Sequence, residues 1–432
     1  MPSTTRRSFI QASAFSALSA SRVWGANDRI NVAIVGVGGR GQAHIKAYAA
    51  RPDVNIYALC DVDQANLERS QAHARQLTGV TPKGFKEMRD VFADKQVQAV
   101  SMPLPNHWHA LATIWACQAG KDVYVEKPAC HDPYEGRQMV AAARRYGRMV
   151  QIGSQSRSAP HKIRAVQLLR EGVIGKVYLA KGLCFKRRKS IGHTPDEPVP
   201  PGVDWDRFRG PAPMIPFSKN HFLYNWHWFW DTGNGDIGNQ GVHEMDIARW
   251  GLDVGLPRSV VASGGKYVYQ DDQETPNTLL ARFDYGDKEL VFEVRGLQTG
   301  GEGELATDSN GNVIGNLFYG DEGWMSLDGS GYRIFKGDPA KLIQSEKVKG
   351  DTLAEHLANF VSAVRSRKYQ DLHADVDIGR ISADLCHLAN ISYRLGGRQL
   401  TFDAQKESFG DAEANRLAHP SYRAPYTIPN LG

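Results

Sequence analysis

The 432-residue chain lacks several features by which large classes of protein are recognised. It has only five cysteines, an odd number without a CxxC pair, so packed free thiols are predicted rather than a disulfide framework. No apolar run approaches the length of a membrane span, and no internal repeat is present. The formal net charge is only +5, and it is scattered along the chain. Neither nucleic-acid binding nor a stable membrane span is therefore predicted.

The first segment has the composition of an export signal. Residues 4–20, TTRRSFIQASAFSALSA, combine paired arginines with a short stretch rich in Ala and Ser, which resembles a twin-arginine signal. The alternative is a frayed basic tail, and the dilution of the apolar stretch by Ser and Gln disfavours a membrane anchor. We therefore predict a signal over residues 1–26, recognition by the twin-arginine export machinery, and a periplasmic or otherwise exported protein.

The next segment has the pattern of a dinucleotide-binding turn. An apolar strand at residues 30–35 runs into GVGGRG, where three glycines have G-x-G-x-x-G spacing before a helical pattern. The first glycine permits the tight turn, the second lets the backbone approach a pyrophosphate, and the third lets the helix pack on the strand. The cofactor-binding candidates in this turn are Gly36, Gly38, Gly39, Arg40 and Gly41.

A second strand, residues 54–60, is followed by Asp61. Asp61 lies about 20 residues beyond the glycines, which is the sequence separation expected for an acid that contacts the ribose. Its carboxylate can accept both ribose hydroxyls and would repel a 2′-phosphate, so NAD is predicted rather than NADP. The twin-arginine route carries folded proteins, which suits a cofactor that is taken up before export and stays tightly bound.

Strand and helix patterns alternate from residue 30 to residue 153. This alternation predicts a doubly wound parallel sheet that binds its ligand outside the C-terminal ends of the strands. The strand at residues 123–125 ends at Glu126 and Lys127, so both charges are predicted at the cofactor edge, where Glu126 can orient the lysine. The alternative is an exposed ion pair, which would contribute less than about 1 kcal/mol to stability.

Five segments together resemble the Gfo/Idh/MocA oxidoreductases, the family of glucose–fructose oxidoreductase and inositol dehydrogenase. They are GVGGRG (36–41), CDVD (60–63), PLPNHWHA (103–110), AGKDVYVEKP (119–128) and GNQGVHEMD (238–246). The resemblance implies an α/β protein, in which a Rossmann domain precedes an α+β domain with a large, open, mainly antiparallel sheet. It also implies a homo-oligomer, a dimer or a tetramer. The predicted divisions are an NAD-binding domain at 27–155, a substrate-binding and oligomerisation domain at 156–403, and a C-terminal tail at 404–432.

The same resemblance implies roles for individual residues. Lys127 matches the catalytic lysine, His243 the general base, and Glu126 a ribose or nicotinamide contact. Physical chemistry supports the lysine independently, because an ammonium stabilises the oxyanion that develops when a carbinol loses its hydroxyl proton. The other positions expected to line the cofactor are Pro103, Asn106, His107, His109 and Gln155.

One position departs from the commoner family pattern. An Asp usually lies four residues before the histidine, on the same helical face, and here that position is Asn239. An amide cannot accept a proton or raise the basicity of His243 as a carboxylate would. Asp236 or Asp246 is therefore a possible partner of the imidazole. The candidate catalytic residues are Lys127, His243, Asn239 and Asp246.

The His243-Glu244 pair superficially resembles a zinc-binding helix. Such a helix needs a second histidine four residues after the first, and that position is Ile247. No metal is predicted.

The second domain contains a basic run, KRRK at 186–189, a long Pro-rich loop, and the aromatic segment YNWHWFWDTGNGD at 224–236. The basic run is either a solvated strand edge or a source of side chains that bind an oxygen-rich substrate, and the sequence leaves both open. The alternating tryptophans suit a half-buried strand, with one or two rings available for stacking on sugars. The candidate substrate residues are Lys186, Arg187, Trp226, His227, Trp228, Trp230 and Asp231.

Three functions fit these patterns. The first is an exported NAD-dependent oxidoreductase acting on a sugar, glycoside or cyclitol. The second is a redox-neutral glycosidase that keeps its NAD and works by transient oxidation, elimination, water addition and reduction. The third is a sugar-binding sensor without turnover, which the presence of Glu126, Lys127 and His243 disfavours.

Overall fold

The computed structural model describes residues 28–348 and 352–432. The predicted signal at residues 1–26 lies outside these ranges. Within them the chain forms a six-stranded sheet and a ten-stranded sheet, which confirms the predicted fold class. No helix in these ranges is both long and apolar enough to cross a bilayer. All five cysteines are buried free thiols, as predicted.

The first sheet is parallel throughout. Its strands are β1 Ile30–Val35, β2 Val54–Cys60, β3 Lys83–Phe85, β4 Ala99–Met102, β5 Asp122–Val125 and β6 Val150–Ile152. Their order in the sheet is β3-β2-β1-β4-β5-β6, so the order in which successive strands are added reverses between β1 and β4. The helices that follow the strands are α1 Gly39–Ala49, α2 Gln64–Thr78, α3 Met88–Ala93, α4 His109–Gln118 and α5 Pro133–Arg145.

The sequence pattern missed β3 and α3. Strand β3 has only three residues, and Lys83 and Gly84 are exposed, so it carries no apolar run. The other strands of this sheet are almost fully buried because helices cover both faces.

The second sheet is mainly antiparallel. Its strands are β7 Val177–Phe185, β8 Ser259–Gly265, β9 Thr278–Asp284, β10 Glu289–Arg295, β11 Val313–Gly320, β12 Gly323–Asp328, β13 Gly331–Lys336, β14 Lys341–Lys347, β15 Leu400–Asp403 and β16 Ser408–Phe409. Their order is β14-β13-β12-β11-β7-β10-β9-β8-β15-β16, and β7 and β10 are the parallel pair.

Two parts of this sheet are not evident from the sequence pattern. Residues 323–336 form a hairpin rather than one strand, because Asp328 ends β12 and accepts a hydrogen bond from the Ser330 amide in the turn (2.6 Å). Strand β14 was missed because almost all of its residues are exposed and it has no apolar face.

The remaining helices connect and cover the two sheets. They are α6 Pro160–Arg170, α7 Trp205–Arg209, α8 Gly235–Asn239, α9 Gly241–Leu252, α10 Leu353–Ser366, α11 Val376–Arg394 and α12 Ala412–Ala418. Helices α10 and α11 return to the first sheet, where Phe360 and Ala383 join its core. The expected tail contains β16 and α12.

Helix α9 lies unusually close to the second sheet. A Cβ at Gly241, its first residue, would be 2.9 Å from the Phe292 ring of β10. The absence of that atom lets the first turn of α9, which contains His243, sit directly against the sheet.

Gly41 in the first turn of α1 gives the first testable prediction. A Cβ there would lie 2.3 Å from the Gly36 carbonyl oxygen, whereas a Cβ at Gly39 would meet no atom within 4 Å. We expect Gly41→Ala to lower the free energy of unfolding by about 1–3 kcal/mol, because backbone has to move. Gly39→Ala, the control, should leave it unchanged or slightly higher. Urea denaturation measures both, and equal midpoints would contradict the close approach.

Candidate active site

One cavity of about 650 Å³ lies between the C-terminal edge of the first sheet and the start of α9. Residues from the part of the chain that forms the first sheet and from the part that forms the second sheet line this cavity. Most of the positions that the sequence assigned to the cofactor are in its wall: Gly36, Gly38, Gly39, Arg40, Asp61, Pro103, Asn106, Glu126, Lys127 and Gln155. His243 and Asn239 line it from the other side.

The wall around α1 fits a dinucleotide. Gly36 has a φ of +89°, a left-handed conformation that glycine adopts without steric cost. Space is open over Gly38 and Gly39, where an added Cβ would meet no atom within 4 Å. Helix α1 has no side-chain cap and no acidic residue in its first turn, so its free amides and positive dipole end face this space.

Asp61 lies at the end of β2 beside the glycine turn. Its carboxylate oxygens accept hydrogen bonds from the Val37 amide (2.8 Å) and the Asp63 amide (2.9 Å). Burial raises the pKa of Asp61 to about 6, while the two amides oppose this shift. The carboxylate is thus fixed in place, with lone pairs left over for ribose hydroxyls.

Glu126 does not hold Lys127 as the sequence suggested. Its Oε1 atom accepts hydrogen bonds from Arg40 Nε (2.8 Å) and His44 Nε2 (2.9 Å). Burial opposes the charged form, but Arg40 and His44 outweigh it and hold the pKa of Glu126 well below its usual range. The lysine ammonium is held by another group.

The Lys127 ammonium donates instead to the backbone carbonyl of Asn239, the last residue of α8. Burial lowers the pKa of Lys127 to about 8, and the nearby Glu126 charge opposes part of that shift. A lysine in this state carries a proton at neutral pH and can release it under mildly alkaline conditions.

His243 projects into the same cavity from the first turn of α9. Within residues 28–348 and 352–432, no group hydrogen-bonds to its imidazole ring. Burial lowers the pKa of His243 well below 6.5, and the Lys127 charge adds to this effect. The imidazole is therefore neutral at physiological pH and able to accept a proton.

Neither carboxylate proposed as the partner of His243 reaches it. Asp246 is completely buried, and Arg157 donates to both of its oxygens (2.8 and 3.0 Å from Nε). Asp236 is held in the same way by Arg188, at 2.9 and 2.6 Å. Both acids compensate buried guanidinium groups, so the expectation of an orienting role for Asp246 is corrected.

Three candidate cofactor residues lie outside the cavity wall. Gly41 acts through packing, as described above. His107 lies between the carbonyls of Phe208 (3.0 Å) and Thr232 (3.4 Å). His109 lies between the carbonyls of Leu104 (2.8 Å) and Pro128 (2.6 Å). These two buried histidines brace the loops around the cofactor edge rather than face a ligand, which corrects their assignment.

The candidate substrate residues divide into two groups. Lys186, Trp226 and His227 line the cavity, as does Arg188 from the same basic run. The other four do not: Arg187 is exposed on the surface, Trp228 is buried beneath Arg188, Trp230 stacks with Arg394, and Asp231 pairs with Arg209.

The tryptophan segment is not a strand. Residues Leu223–Trp228 form a 3₁₀ helix whose backbone bonds locally, and Gly233 N donates to Phe229 O (2.8 Å) just beyond it. The alternation of aromatics therefore does not set which rings face the cavity.

Two residues that the sequence did not single out also line the cavity. Gln240 accepts a hydrogen bond from Lys186 (2.9 Å), and Tyr224 begins the aromatic segment. Gln240 could have been found from its place three residues before His243, on the same helical face.

One buried group outside the cavity carries metal-ligating side chains. Ligand atoms of Cys130, Asp384 and His387 lie within 4.8 Å of one another. Asp384 also accepts a hydrogen bond from Arg380 (3.1 Å), whose charge opposes a cation at this place. The absence of a metal stays a prediction.

The family of the chain follows from profile comparison. The profile GFO_IDH_MocA, an oxidoreductase family with an NAD-binding Rossmann fold, matches residues 30–154. The profile for the C-terminal alpha/beta domain of the same family matches residues 320–428. The chain belongs to the Gfo/Idh/MocA oxidoreductase family, as its motifs implied.

Curated relatives are distant. A levoglucosan dehydrogenase of Pseudarthrobacter phenanthrenivorans is 26% identical over 230 residues, 51% of this chain and 50% of that protein. A glycosyl hydrolase family 109 protein of Shewanella sp. (strain W3-18-1) is 26% identical over 154 residues, 35% of this chain and 34% of that protein. The chain thus spans about half the length of the dehydrogenase and about a third of the length of the glycosyl hydrolase family protein.

Solved structures share the fold over most of the chain. The WlbA dehydrogenase from Bordetella pertussis, in complex with NADH and UDP-GlcNAcA, has a TM-score of 0.64 at 20% identity. The match covers 87% of this chain and 99% of that one. At this identity the likeness establishes the architecture.

The Asp246–Arg157 pair gives the second prediction. We expect Asp246→Asn to lower the free energy of unfolding by about 3–5 kcal/mol, because it leaves a buried guanidinium without its counter-charge. Asp253→Asn is the matched control, since Asp253 pairs with Arg170 on the surface (3.3 Å) and its loss should cost less than about 1 kcal/mol. Chemical denaturation measures both variants. Equal losses would show that Asp246 is not the anchor described here.

Proposed function

We propose that this protein is an NAD-dependent oxidoreductase that oxidises a hydroxyl of a sugar, glycoside or cyclitol to a ketone, or reduces the ketone in reverse. The observation that carries the proposal is the meeting of a protonated lysine, a neutral histidine and a dinucleotide-binding turn in one cavity. The overall change is R₂CHOH + NAD⁺ → R₂C=O + NADH + H⁺. NAD, when bound, supplies the hydride acceptor.

In the oxidation direction, His243 accepts the hydroxyl proton of the substrate. Its low pKa keeps the ring free to do so at neutral pH. The ammonium of Lys127 stabilises the oxygen as negative charge develops on it. The Asn239 carbonyl holds that ammonium at the cavity wall and so orients it for this role.

The opposite wall suits a polyhydroxylated ligand. Lys186 supplies a positive charge, while the Trp226 and His227 rings stack on each other with centroids 3.6 Å apart. Aromatic faces and hydrogen-bond donors together are typical of carbohydrate sites. The dehydrogenase relative acts on levoglucosan by its name, which supports a carbohydrate substrate.

The cofactor is proposed to be NAD rather than NADP. Asp61 presents a fixed carboxylate beside the glycine turn, where the 2′-phosphate of NADP would meet a second negative charge. We further propose, from the sequence, that the chain is exported by the twin-arginine route with NAD tightly bound and that it forms a homo-oligomer.

A second candidate is a redox-neutral glycosidase. Oxidation of a sugar carbon would acidify the neighbouring C–H bond, so a base could remove that proton and expel the aglycone, after which water would add. A retained NAD would supply the chemistry of both the initial oxidation and the final reduction. The match to glycosyl hydrolase family 109 proteins favours this candidate. Both candidates share the same first step at Lys127 and His243.

The third prediction separates these candidates. Purified protein is incubated with levoglucosan, myo-inositol and p-nitrophenyl glycosides, with NAD or NADP, while absorbance at about 340 nm and aglycone release are followed together. A dehydrogenase forms NADH without aglycone release, whereas a redox-neutral glycosidase releases aglycone without net NADH. Lys127→Ala should lower either signal by at least about 100-fold while NAD still binds.

Lys176→Ala is the control for this experiment, because Lys176 makes an exposed pair with Asp287 (3.5 Å) and does not line the cavity. Full turnover by Lys127→Ala would reject the mechanism. Sugar binding by the wild-type protein without either signal would favour a sensor.

The fourth prediction concerns pH. Lys127 is an ammonium below about pH 8 and an amine above it, so kcat/KM for oxidation should fall about tenfold per unit on the alkaline side. The pKa of His243 lies well below 6.5, so no loss of kcat/KM is expected between pH 7 and pH 6.5. Initial rates across the pH range test this. A rate that stays constant into strong alkali would contradict the role of the ammonium.

A further inference from the structure

Tyr224 has an unusual hydrogen-bonding arrangement at the mouth of the cavity. Its phenol oxygen accepts hydrogen bonds from Arg188 Nη1 (2.9 Å) and Asn239 Nδ2 (3.0 Å). Both partners are donors, and one of them is a cation. The ring is 51% exposed and lines the cavity together with Lys127 and His243.

This arrangement determines where the phenol proton points. A tyrosine hydroxyl has one proton to donate and can accept hydrogen bonds on its oxygen. When two donors occupy the oxygen, the O–H bond has to point away from both of them. Donors that polarise the oxygen also strengthen the hydrogen bond that it donates in turn.

Neighbouring contacts hold the two donors and the ring in place. Arg188 is fixed by a bidentate pair with buried Asp236, which leaves its third nitrogen for Tyr224. The preceding residue, Leu223, has a φ of +48°, a left-handed conformation that is rare for a residue with a branched side chain. His227 donates to the Tyr224 carbonyl from the same 3₁₀ turn. Backbone strain of this kind is often found at ligand-binding positions.

Asn239 connects this tyrosine to the catalytic lysine. Its backbone carbonyl accepts from Lys127, and its side-chain amide donates to Tyr224. A carboxylate at position 239 has no proton to donate, so it would accept the tyrosine proton instead. The amide in place of the commoner Asp is therefore the group that leaves the phenol proton free.

We infer that Tyr224 contacts the substrate and donates its hydrogen bond to a carbohydrate oxygen in the cavity. Asn239 and Arg188 are positioning residues that set the direction of this bond. The inference rests on the proposed function for its substrate class. It adds to the lysine and the histidine a third polar group, one that recognises a hydroxyl or a carbonyl without changing its own charge.

The test compares Tyr224→Phe, which removes only the hydroxyl, with Tyr267→Phe. Tyr267 is equally exposed, at 51%, but does not line the cavity, so it is a matched control. Titration calorimetry measures the affinity of the NAD-loaded protein for levoglucosan, methyl β-D-glucopyranoside and myo-inositol. We expect Tyr224→Phe to weaken sugar binding by roughly 3- to 10-fold. It should also lower kcat/KM by up to about 100-fold, with NAD affinity and Tm unchanged.

The role of Asn239 is tested by a double-mutant cycle. Asn239→Asp should weaken sugar binding more in the wild-type background than in the Y224F background, because only the wild-type protein has a phenol proton for the carboxylate to accept. Equal losses in both backgrounds would overturn the role of Asn239. Wild-type affinity in Y224F would overturn the role of Tyr224.

These outcomes are separate from those of the proposed function. If the wild-type protein binds a sugar without NADH formation or aglycone release, the proposed function fails, while the affinity of Y224F still decides the role of Tyr224. If it binds no sugar of the panel, both are overturned.

Discussion

The site depends on one hydrogen bond, from the Lys127 ammonium to the backbone carbonyl of Asn239. The lysine follows β5 of the parallel sheet, and the carbonyl ends α8, immediately before the helix that carries His243. This bond therefore joins the nucleotide-binding half of the molecule to the half that supplies the imidazole. Because the lysine is buried, its pKa falls to about 8, and a backbone carbonyl holds it without the full compensation of a carboxylate.

Three buried acids around the cavity are paired with arginines. Glu126 is paired with Arg40, Asp236 with Arg188 and Asp246 with Arg157. These pairs position the loops and helices of the site, yet none of them neutralises Lys127 or raises the basicity of His243 by direct contact. The result is a protonated lysine beside a neutral histidine. That combination suits removal of a hydroxyl proton followed by stabilisation of the charge that remains.

Membership of the Gfo/Idh/MocA family agrees with this arrangement. The chain departs from the commoner family pattern at position 239. An amide at position 239 gives up the carboxylate that would support the histidine. It can instead donate to Tyr224, which lies over the same cavity as Trp226 and His227. Dehydrogenation and redox-neutral glycoside cleavage can share such a cavity, since they differ only after the first hydride transfer.

The sequence by itself determined the features that depend on neighbouring residues: the glycine turn, the alternation of strands and helices, and the charged pair after β5. Tertiary structure decided which group each of the site's side chains contacts. Arg157 and Asp246 are 89 residues apart in the chain, and Lys127 and Asn239 are 112 apart, so no local pattern could show that they meet. The aromatic segment is a similar case, because its alternation predicted a strand and its local hydrogen bonds formed a 3₁₀ turn. The spacing of residues in the sequence determines which side chains share one face of a helix or strand. Which acid, amide or carbonyl each of those side chains contacts is determined by charged groups that are distant in the chain and compete for the same partners.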